Sequence, residues 1–388
     1  MPATTTTTTA TPGTTVGGTN NGNGGAATTT RGGGTGTGTT GQNSGWIISH
    51  SAPAMFPKEE QDEKDDLSVE EYQEIENELH GIQVFDFDTF ETPPPHVVSQ
   101  SIQEVEEFIL SDNIFDNDKK AYLHAKESIP HIVEHETPIL MFLRCEHYDI
   151  RNASKRLCAH WTERVKLFGV DYAYKPMTLL PNGAMGSNDE HMIQLSLGYV
   201  ARCHDDVYGR PVIFLDRANS TKDHSTYNRN GWLKVMWYFI QTICLEDKYQ
   251  KSGYVVIINL KDYDPHKCGD RIGAKKMFLY VRECWCPRFK GYHATYGSKQ
   301  TPVKLVEPAI RQMQGRHIRL HLRNHYGYDS SNIDAMYEYG IRPHHILTSI
   351  SGTFTHDDHL QWIQERKVYE EQQEMASKEA TKDNDDAT

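Results

Sequence analysis

Between Ser252 and Asp264 the chain reads SGYVVIINLKDYD. Six apolar residues, five of them β-branched or aromatic, lie between Tyr254 and Leu260 before the chain turns polar at Lys261. That run is a strand buried on both faces, and such strands belong to sheets covered by helices. In α/β sheets, ligands gather at the C-terminal ends of the strands. Here that end is Lys261, Asp262, Tyr263, Asp264 and Pro265, with no glycine-rich phosphate loop, no G-x-S-x-G elbow and no metal-ligand spacing. What the sheet holds is not announced by a catalytic signature.

The flanks fit a mixed sheet. From about His191, MIQLSLGYVARC reads as a strand, HDDVYG as a turn and RPVIFLDRA as a returning strand. Gly231–Asp247 is a helix apolar nearly all round, as expected of one buried on more than one side. After the central strand come a helix through GDRIGAKKMFLYVREC, a break at Pro287 and a short strand near Tyr292–Tyr296. A helix over Pro302–Gln314 and a last strand in HIRLHL follow. This alternation predicts a largely parallel sheet with one antiparallel hairpin. Upstream, residues 100–170 read helical. Ile102, Val105, Phe108 and Ile109 share a face; PILMFLRCE has Pro at a helix start; Ile150, Ala153, Leu157, Trp161 and Val165 line a third helix that Gly169 stops.

Composition bounds the rest. Residues 1–45 are almost all Thr, Gly, Ala and Asn with one charge, Arg31, so they cannot offset their ordering entropy and read as disordered. Residues 58–78 are strongly acidic, and the formal net charge is -13, which argues against nonspecific nucleic-acid binding. Residues 46–100 predict at most one short helix, near Val69–Leu79. The tail from Glu365 reads as a solvated helix or a frayed end. Seven scattered cysteines point to reduced thiols inside a cell. No apolar run approaches the ~20 residues of a membrane span, and the N-terminus lacks the apolar core of a secretory signal. The expected location is the cytoplasm, and the sequons at Asn152 and Asn219 are read as chance matches.

Three clusters invite chemistry. His266, Cys268, Cys284, Cys286 and His293 lie close in sequence, as do His356 and His359, but neither set has a zinc spacing, and 20 histidines make accidental neighbours common. They read as packed thiols and surface imidazoles. Cys284 or Cys286 with His293 would be a nucleophile pair, yet Cys284 falls late in a helix, where the macrodipole disfavours a thiolate. The third is TPVKLVEPAIRQM, which contains Arg311 and is followed by Arg316, His317, Arg319 and Arg323. An apolar stripe with a basic flank is how a helix lies on an anionic membrane.

Taken in order, several segments resemble the CRAL-TRIO (Sec14-like) lipid-binding family. LMFLRCEHYDIRNASKRLCAHWTERVKLFG is similar to its helical lead, DDVYGRPVIF to its D-x-x-G-R-P-V strand and GYVVIINLKDYD to its V-x-x-I-x-D-L-x-G strand. VRECWCPRFKGYHA, VKLVEPAI, IRLHLRNHYG and NIDAMYEYGIRPHHILTSISGTFT follow at family spacing, and the resemblance spans about Glu104 to Thr355.

The resemblance implies a mixed, mostly parallel sheet flanked by helices enclosing an apolar cavity, preceded by a small helical subdomain. The expected layout is a tail over 1–57, an acidic, mostly irregular linker over 58–100, the helical subdomain over 101–170, the lipid-binding domain over 171–355 and a charged helix or tail over 356–388. By position, Val256, Ile258 and Leu260 would form the pocket floor, Leu233, Met236 and Ile240 a wall, and Val303, Val306 and Ile310 the inner face of a gate helix. Arg311, Arg316 and Arg319 would face lipid headgroups. The implied protein is a monomeric, non-catalytic lipid carrier peripheral to membranes, with a bound lipid and no cofactor, metal or nucleic acid. The alternative is an interaction module of the same fold without lipid exchange.

Overall fold

A computed structural model describes residues 62–81, 93–186, 200–217, 228–261, 263, 270–297, 315–327 and 329–385, with side chains to 376. The chain divides into two units, Met1–Ile47 and Ile48–Thr388; the first lies outside the described residues. The second opens with helix α1 (Val69–Leu79), where Ser68 and Glu71 form a capping box. Helices α2 (Pro95–Leu110), α3 (Asp116–Ser128), α4 (Pro130–Glu136), α5 (Ile139–Cys145) and α6 (Ile150–Phe168) follow, then the short α7 (Val170–Ala173). Proline opens α2 and α4, where its missing N–H costs nothing, and Asp149 caps α6 through the Asn152 N–H at 2.8 Å.

The sheet holds β1 (Val200–Cys203), β2 (Val212–Asp216), β3 (Tyr254–Asn259), β4 (Phe289–Tyr296) and β5 (Leu322–Tyr326), in that spatial order. β1 runs antiparallel to β2, and every later pair is parallel. Helices α8 (Arg229–Cys244) and α9 (Asp247–Ser252) lie between β2 and β3, α10 (Arg271–Glu283) between β3 and β4, and α11 (Arg316–Leu320) just before β5. Asn228 and Asp270 cap α8 and α10 through the N–H groups of Gly231 and Gly273. The fold is thus mixed α/β, a mostly parallel sheet flanked by helices, as the sequence predicts.

Strand order follows chain order without reversal. Right-handed crossovers that always step the same way place their helices on one face. That face carries Ile213, Leu215, Val256, Ile258, Tyr292 and Ala294, which share one apolar core with α8 and α10. Val105, Phe142 and Trp161 belong to the same core, so the helical lead has no separate core of its own. The opposite face carries Ala201, Cys203, Val212, Phe214, Val255 and Ile257. A second core covers it, from Ile333 and Met336 of α12 (Asp329–Met336) and from Ile341, Ile346, Leu347, Ile350 and Phe354. Among the described strands the order does not reverse, so they form no topological switch point of the kind at which such sheets usually bind ligands.

Three expectations need correcting. HIRLHL is not one strand: Arg316–Leu320 is helical, and β5 starts at Leu322, opposite Tyr292. Ile318 and Leu322 stand four apart, so the same spacing serves a helical turn. The C-terminal helix α13 (His356–Asp385) is not merely solvated. Buried Glu370 accepts from the Tyr238 hydroxyl and the Leu179 N–H, both at 2.7 Å. His359 is no surface imidazole: it is buried, accepts from the Arg202 N–H at 3.2 Å and packs against Phe239 and Trp362. Burial pulls its pKa down to about 4, so the ring is neutral near pH 7.

Candidate functional site

The helix-covered face of the sheet contains an apolar void. Its floor is Leu215 of β2, Tyr254 and Val256 of β3, and Phe289 and Tyr292 of β4. Its roof is Met236 of α8, Met277, Phe278 and Val281 of α10, and Ile318 of α11. The alternation of strand side chains sends Tyr254 and Val256 to this face, while Val255 and Ile257 serve the other core. The only side-chain polar groups on the lining are two phenols, and burial pushes both Tyr254 and Tyr292 well above the usual tyrosine range. The void therefore carries no ionised side chain. Its volume is about 10 Å³, enough for one water molecule, and its apolar walls favour a dry space.

Of the residues expected to line a pocket, Met236 and Val256 meet at this void. Leu233, Ile240, Ile258 and Leu260 are buried in the surrounding core but do not line it. Val303, Val306, Ile310 and Arg311 lie outside the described residues. Met277, Phe278 and Val281 are not among the expected lining residues, although their one-sided spacing in MFLYV marks a core-facing stripe. Tyr254 stands two positions before Val256 and so shares its face.

The second feature is a basic sheet edge beneath an acidic helix. Arg316 is exposed, but Arg319 reaches Glu63, with Nε 3.0 Å from Oε2. Arg323 of β5 binds Glu76 at 2.6 Å. Glu78 sits deepest: it accepts from Lys290, lies 3.5 Å from Arg288 and accepts from His321 Nε2 at 2.7 Å. His321 Nδ1 meets the His317 carbonyl at 2.8 Å, so both of its ring nitrogens face acceptors. Burial alone would raise the Glu78 carboxyl. The His321 hydrogen bond and the charges of Lys290 and Arg288 outweigh it and hold the group far below the usual carboxylate range. Burial, with His321 and Arg288 nearby, holds His317 down at about 3. The short helix expected near Val69–Leu79 in the acidic segment is present, and it docks on the sheet edge.

A depressed carboxyl stabilises the fold above its unfolded pKa and loses that contribution as pH falls. The Glu78 contribution is therefore complete above about pH 5 and declines as pH drops below the ordinary value of 4.5. Glu78→Gln should cost on the order of 2 kcal/mol at pH 7. Urea unfolding of both proteins should show that gap narrowing towards pH 3; a gap independent of pH would remove Glu78 from the account.

Six of the cysteines are free and buried, among them Cys284 and Cys286. Among the described residues no three His, Cys, Asp or Glu side chains converge to hold a metal ion, and no helix is long and apolar enough to cross a membrane. His293 of β4 is fully buried, with Nδ1 3.0 Å from His325 Nε2, and burial holds it well below the ordinary histidine range.

No family model and no curated protein matches the chain. Among solved structures it is similar to one titled "Crystal structure of Sfh5", at 11% identity and a TM-score of 0.37, covering 66% of this chain and 98% of that one. A likeness that loose carries no argument about function.

Proposed function

We propose that the protein binds a small lipophile, such as a lipid acyl chain, between the sheet and helices α8 and α10. One observation carries this reading: an uncharged void lies between the sheet and the helix layer, roofed by two methionines. The order of the family-like segments in the sequence agrees with it. Met236 and Met277 are unbranched and adaptable, so the void can widen by rotamer change without breaking hydrogen bonds. Each buried methylene contributes about 0.8 kcal/mol. Roughly 15 of them approach 12 kcal/mol before ordering costs, but a chain of that length enters only if α8 and α10 move away from the sheet, because the void as it stands holds one water molecule. On this reading the protein is a non-catalytic carrier that meets membranes at their surface and needs no cofactor.

The small size of the void favours a second reading, an interaction module of the same architecture that carries no lipid. Extraction of the protein purified from cells, followed by mass spectrometry, separates the two. The carrier reading expects a lipid near one per chain, reduced at least fivefold in Val256→Phe, whose ring fills the floor at an overpacking cost of about 1–3 kcal/mol. Wild-type protein that is consistently empty establishes the module instead.

A further inference from the structure

The contacts of α1 are lopsided. Only Leu79 of its residues is buried, while Val69 and Tyr72 are 80% and 46% exposed. Hydrophobic burial therefore contributes little to its docking. Charge contributes more: Glu63, Glu74, Glu76 and Glu78 meet Arg319, Arg288, Arg323, Lys290 and His321. With α1 lifted away, those four cations, with the exposed Arg316, would form one positive edge beside His321 on a chain of net charge -13. Such a patch is out of keeping with the rest of the molecule, and the acidic segment neutralises it carboxylate by carboxylate.

We propose that this edge is a docking face for anionic membranes, and that Glu63 and α1 are its built-in competitor, displaced when lipid headgroups take over the same cations. The choice of a membrane over another polyanion rests on the lipid-carrier reading. The overall negative charge of the chain repels any polyanion, so attraction to an anionic bilayer has to come from this local edge. Each Arg or Lys released at an anionic bilayer strengthens binding severalfold. The attraction between α1 and the edge is partly solvent-exposed at Glu63 and Glu76, where the pairs are weak enough to exchange.

The test uses the full chain and vesicles of phosphatidylcholine alone or mixed in equal parts with phosphatidylserine. Glu63→Gln, Glu74→Gln and Glu76→Gln together spare the buried Glu78 and should raise partitioning onto the mixed vesicles about tenfold. Phosphatidylcholine vesicles should not respond, and adding Arg319→Glu and Arg323→Glu should erase the gain. In the wild-type protein, hydrogen exchange should show α1 amides losing protection when mixed vesicles are added. A triple variant that binds no better than wild type overturns the proposal. So do α1 amides that stay protected in vesicle-bound protein, and so does release by soluble inositol hexakisphosphate but not by vesicles. Failure here is distinct from failure of the carrier reading: an empty protein that binds vesicles sinks only the cavity, and a lipid-loaded one indifferent to vesicles sinks only this face.

Discussion

Replacing Arg210 with methionine should destabilise the protein by about 3–5 kcal/mol, the usual cost of leaving a buried charge without its partner. Arg210 is 1% exposed. Its Nε binds Asp206 at 2.6 Å, its Nη1 donates to the carbonyls of Glu78 and Leu79, and its Nη2 donates to the Tyr339 carbonyl at 2.8 Å. One guanidinium therefore joins the 206–210 turn, the end of α1 and the segment behind the sheet. Tyr208 wedges into the same junction against Gly81 and Gly340, both at positive φ, where an added Cβ would fall 2.1 and 2.2 Å from its ring. Burial already pushes the Asp206 carboxyl upward in the presence of Arg210. Without the guanidinium the acid has no counter-charge, so Asp206→Asn in the same chain should recover part of the loss. Urea unfolding of the single and double variants decides it; a single variant within about 1 kcal/mol of wild type would contradict the assignment.

Trp237→Ala should be comparably severe, about 3–5 kcal/mol, through the cavity it leaves. The indole is fully buried on α8 and touches His160, Phe168, Tyr280 and Trp285, with ring centroids 5.0, 6.1, 5.1 and 5.9 Å away. Its N–H has no hydrogen-bond partner. Trp237→Phe should therefore cost far less than the alanine variant, because it keeps ring packing and removes an unsatisfied donor. Equal losses in the two variants, measured by chemical denaturation, would mean that the N–H matters more than the packing.

The architecture was legible wherever local pattern and burial agree. The β-branched run from Tyr254 marked β3 because both of its faces are covered, and the all-round apolarity of Gly231–Asp247 marked α8 because it lies within the core. The start of β5 was misread because Ile318, Leu320 and Leu322 satisfy strand alternation and helical spacing alike, and pairing with Tyr292–Tyr296 decides between them. The partner of the acidic segment was invisible for another reason. Glu78 and Lys290 are 212 positions apart, and no local periodicity encodes a charge pair at that distance. The candidate void was half legible. Met236 and Val256 lie on elements whose inner faces the pattern shows, whereas Met277, Phe278 and Val281 look like any core stripe until the sheet sets the helix above it.

The one-way strand order has a consequence for synthesis. Helices that cover one face emerge from the ribosome interleaved with the strands they protect. The cover for the other face, Ile333 through Phe354, is made after every strand. Until then a newly made chain presents Val212, Phe214, Val255 and Ile257 to solvent on a bare sheet face. A chain that stops before residue 329 would leave that face uncovered, an apolar surface prone to association.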